Sequence, residues 1–335
     1  GFSTVDRFAM YQTGTDDYPE TEQGTVASGT TPYTNGFRKS FKITNGNQSS
    51  GGQAGDYLYT SYKVEAQDMA QCGWNYTSTS SFVTLSFWVK SSVAQNFYGY
   101  LFTSDGTSQI YPFETGSLTA DTWTKITKTI PGNSNLTFDN DTGAGLQLQL
   151  WAFLGTTYTD SGVSLNQWAA FASGTRDPDN TSTWYTTNDA TFEITGVQLE
   201  VGSQATPFEH RSFGDELALC QRYCMKWWNH GNTTNNHSRF APGYYPTTTS
   251  AALFFNHPVP MRATDGRTLT HNISNMEQMS GGGNSNSFSL MADGSYNTST
   301  TLLLTGLSGV TAYNIYVGRV GGGQTDWYII ISCEL

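Results

Sequence analysis

The residues whose side chains most often carry out chemistry are few and scattered in this sequence. The histidines are His210, His230, His237, His257 and His271, and the cysteines are Cys72, Cys220, Cys224 and Cys333. They form no HExxH or CxxC pattern and no other compact ligand set. The chain also has no GxSxG elbow, no Walker loop and no GxGxxG turn after a strand. We therefore predict a protein that is not an enzyme and that holds no zinc.

Acidic residues leave two further options open. The loops Asp139–Asp141 and Asp177–Asn180 are rich in oxygen ligands of the kind that Ca²⁺ prefers, although Asx-rich turns have the same composition. A glycosidase needs a pair of carboxylates, and Glu193 with Glu200, or Asp139 with Asp141, could supply one. Nothing in so acidic a sequence singles these pairs out. We expect no cofactor, with Ca²⁺ in the acidic loops as the alternative.

Alternating apolar and polar residues predict the elements that would position any site. In Phe82–Lys90, Val83, Leu85, Phe87 and Val89 share one side of a strand. In the run from Leu146 to Leu154, the even-numbered positions are apolar throughout. Charged residues make up only 13% of the chain and glycine occurs 35 times, which suits short strands and turns better than exposed helices. The fold class predicted is all-β, with two β-sandwich domains of jelly-roll type.

One segment has a different pattern. The residues Ser212–Asp215 resemble a capping box, and Leu217, Cys220, Cys224 and Trp227 follow at helical spacing. We predict a short helix from Asp215 to Lys226, with an irregular linker as the alternative. The predicted domains are a jelly roll over 1–208, a linker with the helix over 209–228, and a C-terminal β-sandwich over 229–335.

Charge and hydropathy exclude several partners. The formal net charge is −11, which disfavours binding to nucleic acid or to an anionic membrane. No apolar run reaches the roughly 18 residues that span a bilayer, so we predict no membrane insertion. Because the sequence opens on Gly1 and is strand-like by Tyr11, we expect a preceding segment that attaches the chain to other proteins.

The polar side of the first predicted domain is the best candidate for a binding site. It carries Trp88, Gln147, Gln149 and Trp151, with Tyr98 and Tyr100 on a neighbouring strand. Sugars stack their C–H faces on aromatic rings and accept hydrogen bonds from amides. We predict that these six residues bind carbohydrate. The alternative is that the rings pack under a loop or against a neighbouring chain.

A family resemblance adds to this interpretation. The run from Phe192 to Gly202, continued by Ala205–Tyr223, resembles a junction in the tail-fibre and other appendage proteins of tailed bacteriophages, especially marine and cyanobacterial ones. Shorter stretches agree with it: Val5–Phe8 and Leu85–Ser91 are similar to parts of the carbohydrate-binding-module-type jelly roll, and Pro258–Ala263 and Cys333–Leu335 to parts of the C-terminal module.

The resemblance implies a homotrimeric tail fibre or receptor-binding protein on the virion surface, outside the cell. Such a protein recognises host cell-surface glycans without covalent chemistry and joins other virion proteins through its N-terminal end. Three other functions stay open at this stage. One is a structural head fibre, capsid decoration or cement protein, the second is a glycan depolymerase, and the third is a secreted cellular lectin. The resemblance carries no catalytic or ligand motif that could be assigned to residues of this chain.

Overall fold

A computed structural model describes residues 7–229, 239–273, 276–278, 287–291, 295–308, 310–320 and 327–333. The chain is all-β and divides into two compact units, Gly1–His210 and Arg211–Glu334. Every pairing between the strands given below is antiparallel and joins strands of the same unit. Among the described residues, no helix has both the length and the apolar character needed to cross a membrane.

The first unit contains two sheets. One has six strands, in the spatial order β1 (Phe8–Thr13), β4 (Tyr57–Glu65), β9 (Ala144–Leu154), β6 (Asn96–Thr103), β7 (Gln109–Ser117) and β10 (Ala169–Ala170). We call it the front sheet. The other, the back sheet, has five strands, in the order β2 (Glu20–Thr25), β3 (Lys39–Thr44), β11 (Thr191–Val201), β5 (Phe82–Ser91) and β8 (Thr124–Pro131).

The two sheets of this unit enclose one main hydrophobic core. Leu148 and Leu150 of β9 belong to the same buried cluster as Leu85 and Phe87 of β5. The predicted alternation on these strands is therefore confirmed, because the apolar side of each faces the core. The pattern fails at Leu154. A register shift against β4 inserts one extra residue after Trp151, so Phe153 packs against the core and Leu154 lies with Trp151.

The second unit is also a sandwich. A three-stranded sheet has the order β12 (Cys224–Asn229), β20 (Trp327–Ser332), β15 (Thr268–His271). A six-stranded sheet has the order β16 (Met276–Gln278), β19 (Ile315–Val320), β13 (Arg239–Tyr244), β14 (Ser250–Asn256), β18 (Ser299–Thr305), β17 (Ser287–Leu290). Ile329 and Ile331 of the first sheet share a buried cluster with Leu253 and Leu302 of the second.

Helices are short: α1 (Thr31–Thr34), α2 (Ala66–Gln71) and α3 (Phe213–Gln221). The capping prediction for α3 is confirmed, since the Ser212 hydroxyl accepts a hydrogen bond from the Asp215 amide at 3.2 Å. The predicted extent, Asp215–Lys226, is wrong. The helix ends at Gln221, and Cys224–Asn229 pairs with Trp327–Ser332 as a strand. The last five residues of the predicted linker 209–228 thus lie within a sheet of the second unit.

Candidate functional site

The front sheet brings five of the six predicted binding residues to one side. Three rows cross the strands β4, β9 and β6 on its outer face. They are Tyr59, Trp151 and Tyr98, then Ser61, Gln149 and Tyr100, then Lys63, Gln147 and Phe102. Cross-strand neighbours on one face lie within reach of each other, so these side chains form one continuous surface.

Trp88 does not belong to this surface. It lies on β5 of the back sheet, opposite Lys125 on one side and Thr195 on the other. Grouping it with Trp151 was therefore wrong. Alternation within a strand indicates which side chains share a face of that strand, but not which sheet the strand joins.

Much of the front face is covered by the chain that follows β9. The Phe171 ring packs edge-on to Phe102 at 5.0 Å, and Tyr158 packs edge-on to Tyr57 at 5.8 Å. Under this covering segment, Tyr100 and Trp151 are only 2% and 3% exposed. The alternative that the rings pack under a loop therefore describes these two residues. Gln147 and Gln149 are also buried, whereas Tyr98 is half-buried.

A group of tyrosines at the edge of the covered area stays half-exposed. Tyr11 of β1 stacks on Tyr59 at 5.2 Å, and Tyr57 lies 5.6 Å from Tyr59. The Tyr59 ring in turn contacts the buried Trp151 at 4.4 Å. We call Tyr11, Tyr57 and Tyr59 the tyrosine face.

The hydroxyls of Tyr11 and Tyr59 are protonated at neutral pH. Burial raises the pKa of Tyr59 to about 12, with smaller contributions from the neighbouring Tyr57 and Tyr11. Burial also raises the pKa of Tyr11. A protonated phenol both donates and accepts hydrogen bonds. The face therefore combines flat apolar rings with polar edges, the combination that suits a sugar ring.

Polar groups beneath the rings are incompletely paired. The Gln147 amide donates to the Ser61 hydroxyl at 2.7 Å. Within the described part of the chain, the Gln149 carbonyl oxygen, the Trp151 indole nitrogen and both Asp177 carboxylate oxygens are buried without a hydrogen-bond partner. Buried polar atoms are usually satisfied, so unsatisfied ones are typical of a functional or strained site.

Arg176 holds parts of the covering segment together. Its guanidinium lies over the Tyr158 ring at 4.5 Å and donates to the Ser173 carbonyl at 3.1 Å. The next residue, Asp177, is completely buried. Burial raises the pKa of this carboxyl well above its usual value, and the adjacent Arg176 opposes that shift.

Sequence reasoning missed the tyrosine face and the covering segment. The signal for Tyr57 and Tyr59 is present in the sequence, because they alternate with Leu58 and Thr60 as residues of a strand do. Tyr158, Phe171 and Arg176 lie in irregular chain without periodicity, so no local pattern could place them on this surface.

Two carboxylates of the acidic loops accept hydrogen bonds within the chain. The Asp141 carboxylate accepts from the Gly143 amide at 2.8 Å, and Asp179 accepts from the Thr159 hydroxyl at 2.7 Å. Over the described ranges, no group of three or more histidine, cysteine, aspartate or glutamate side chains is arranged to hold a metal ion. His230 and His237 lie outside those ranges.

Each of the two glutamates considered for catalysis has a structural partner. Glu193 pairs with the Lys90 ammonium at 2.8 Å and accepts from the Ser40 hydroxyl at 2.7 Å. Glu200 accepts from the amide and the hydroxyl of Thr206 at 2.9 and 2.6 Å.

Comparison with known proteins finds fold-level neighbours only. No family model and no curated protein matches the chain. Among solved structures, a family 4 carbohydrate-binding module has a TM-score of 0.30 at 12% identity, covering 59% of this chain and 88% of that one. The family 11 module of Clostridium thermocellum, in complex with a β-1,3-1,4-mixed-linked tetrasaccharide, has a TM-score of 0.27 at 11% identity over 61% and 94%.

A third neighbour is the xylan-binding CBM22-1 domain from Paenibacillus barcinonensis, with a TM-score of 0.26 at 10% identity over 58% and 87% of the two chains. Similarity at this level assigns neither a family nor a ligand to this chain.

Proposed function

We propose that this chain is a virion appendage protein, a tail fibre or receptor-binding protein, that recognises a host cell-surface glycan without covalent chemistry. The observation that carries the proposal is the tyrosine face. Three contiguous, half-exposed rings lie beside an unsatisfied polar layer on one sheet. A sugar stacked on Tyr59 would bury its C–H face, while its hydroxyls exchange hydrogen bonds with the phenols.

The appendage part of the proposal is supported by the resemblance of residues 192–223 to phage appendage junctions. That stretch contains the central strand of the back sheet, the boundary between the units at His210, and α3. We propose a homotrimer on the virion surface. Several copies of a weak glycan site would then act together, so that avidity compensates for low affinity at each site.

A structural head fibre, capsid decoration or cement protein is the second candidate. The burial of Tyr100 and Trp151 favours it, because these rings then stabilise the first unit and are not free to meet a ligand. In that case the tyrosine face would contact a neighbouring virion protein.

Substituting the tyrosine face tests the proposal. We expect Tyr59→Ala and Tyr57→Ala to weaken binding of host surface oligosaccharide about tenfold or more, as loss of one stacked ring does. The measurement is calorimetric titration with glycan released from the host surface, paired with phage adsorption. Tyr18→Ala removes a tyrosine that is 62% exposed elsewhere in the unit and serves as the matched control.

The outcomes separate the candidates. If the tyrosine-face variants lose phage adsorption while the particles stay intact, the face acts in recognition. If the particles become unstable while glycan binding stays normal, the structural role is supported. Glycan affinity unchanged in folded Tyr59→Ala would contradict a binding role for this face. Shortened glycan products after incubation would show a depolymerase instead.

A further inference from the structure

The back sheet carries a second concave surface, separate from the tyrosine face. A cleft of about 480 Å³ opens on its outer side. Trp88 and Lys125 form its floor, and Asn35, Phe208 and His210 lie on its wall. Ligand pockets commonly have volumes of about 300–1,000 Å³, so the cleft could enclose one or two sugar rings.

The wall of the cleft is held in place by its own hydrogen bonds. The Thr206 amide donates to Glu200 at 2.9 Å, and the Glu209 amide donates to the Gln198 side-chain oxygen at 2.9 Å. These contacts fix the returning chain 203–210 against β11. A wall that is already ordered loses little freedom when a ligand binds.

Aromatic packing closes the end of the cleft. The rings of Phe37, Phe208 and His210 contact one another with centroids 4.9–5.3 Å apart. Two glycines make room for them. A Cβ atom on Gly196 would lie 2.4 Å from the Phe37 ring, and one on Gly36 would lie 2.7 Å from His210 Nε2.

His210 presents a defined hydrogen-bonding edge. Its Nε2 lies 2.9 Å from the Asn35 carbonyl oxygen. A carbonyl can only accept, so Nε2 carries the proton. In the neutral ring, Nδ1 is then the acceptor, available to a ligand hydroxyl.

Lys125 gives the cleft a positive charge in a protein whose net charge is −11. Its side chain is exposed, and it takes part in none of the ion pairs found among the described residues. Lys125 also acts electrostatically on Glu200, whose carboxylate accepts hydrogen bonds from Thr206 and Gln198. Lys125 lies directly across from Trp88 in the sheet, so a cation stands beside a half-buried indole ring.

We propose that this cleft binds a sugar residue that carries a carboxylate. The sugar ring stacks on Trp88, the carboxylate pairs with the Lys125 ammonium, and a ring hydroxyl donates to His210 Nδ1. This binding does not depend on the tyrosine face, so either site can be lost without the other.

The experiment is a titration of the full chain with tetragalacturonate and, as the matched neutral ligand, with its methyl ester. We expect the acid to bind at least about tenfold more tightly than the ester, because esterification removes the charge that pairs with Lys125. Affinity for the acid should fall as salt is raised, because Lys125 is exposed.

Variants place the binding in the cleft. Trp88→Ala should abolish binding of the acid. Lys125→Gln should make the affinities for the acid and the ester equal. Trp123→Ala and Lys39→Gln are the matched controls. Trp123 lies outside the cleft, with the Lys90 Nζ atom 5.2 Å from the centroid of its ring. Lys39 is an exposed lysine of β3 that also lies outside the cleft. Circular dichroism confirms that each variant is folded.

Three results would overturn the inference: equal affinity for acid and ester, unchanged affinity in folded Trp88→Ala, or no binding across a panel of uronic-acid oligosaccharides. Tyr59→Ala separates the two sites. If it abolishes uronate binding, the ligand occupies the tyrosine face and the cleft proposal fails. If it abolishes only binding of the host glycan, the two sites are distinct.

Discussion

Asp177 is the residue whose environment departs most from that of an ordinary acid. Its carboxylate is completely buried, and no described group hydrogen-bonds it. Burial raises the pKa of the Asp177 carboxyl in the folded chain. In the unfolded chain, the pKa of the same carboxyl has its ordinary value near 4. The folded state therefore retains a proton that the unfolded state releases. The contribution of this protonation to the free energy of unfolding is fully present below about pH 4. It is lost as the pH rises through the pKa of the carboxyl in the folded state.

Asp177→Asn removes this dependence, because an amide of the same shape stays neutral. We expect the variant to gain stability relative to the wild type as the pH rises from 4, by up to about 1.4 kcal/mol per pH unit until the folded pKa is passed. Urea unfolding between pH 4 and 8 measures it. The same substitution at Asp179, an exposed neighbour, gives the reference slope. A constant difference between the Asp177→Asn variant and the wild type across this range would show that Asp177 stays ionised in the folded chain.

At the residue scale, the sequence predicts which side chains share a face of a strand better than it predicts which of them are exposed to a ligand. Gln147, Gln149 and Trp151 share a face because every second residue of a strand does, and the structure keeps them together. Tyr100 and Trp151 are buried under residues 158–177, which are distant from Tyr100 in the sequence. Such long-range covering has no local signature, so their exposure could not be predicted from β6 and β9 alone.

The bulge in β11 is an element-scale feature on which the cleft depends. Pairing with β5 shifts register between Thr195 and Gln198, and Gly196 there has a φ of +61°. The bulge makes room for Phe37, whose ring occupies the space that a Cβ at Gly196 would need. Only glycine can adopt this positive φ without strain and also leave room for the Phe37 ring.

Gly196→Ala should destabilise the protein by about 2 kcal/mol or more, since it combines a left-handed backbone with overpacking against Phe37. Chemical denaturation measures the change in the free energy of unfolding. Gly55→Ala is the matched control, because a Cβ there has open space and the backbone φ lies outside the positive range. Equal stability of the two variants would mean that the bulge can relax, and would weaken the case for a rigid cleft wall.

Two elements show why pattern alone misassigned structure. Leu217, Cys220, Cys224 and Trp227 fall at helical spacing, yet α3 has no buried residue and ends before Cys224. Met225 and Trp227 instead pack into the core of the second unit. Helical and strand periods coincide over short stretches, and pairing with Trp327–Ser332 decides between them. The first five residues of β7 are all buried, because one side packs on the core and the other is covered, so this strand shows little alternation of burial.

At the scale of the whole molecule, the first unit has a core and strand pairing of its own. The main core of the first unit and the cluster around Trp151 draw only on residues before His210. The strands of that unit pair with one another in two sheets. A domain that has its own core, and whose strands pair with one another, is expected to fold alone.

We therefore expect residues 1–210 expressed alone to unfold cooperatively, with a dispersed amide NMR spectrum, and to keep both candidate binding surfaces. A fragment that ends at Ala190 is the informative control, because it lacks β11, which pairs with β3 on one side and β5 on the other. Without it the back sheet would split and Phe192 and Ile194 would leave the core, so this shorter fragment should not fold. If residues 1–210 failed to fold while the full chain did, the first unit would depend on the second. Glycan binding would then have to be assigned to the whole chain.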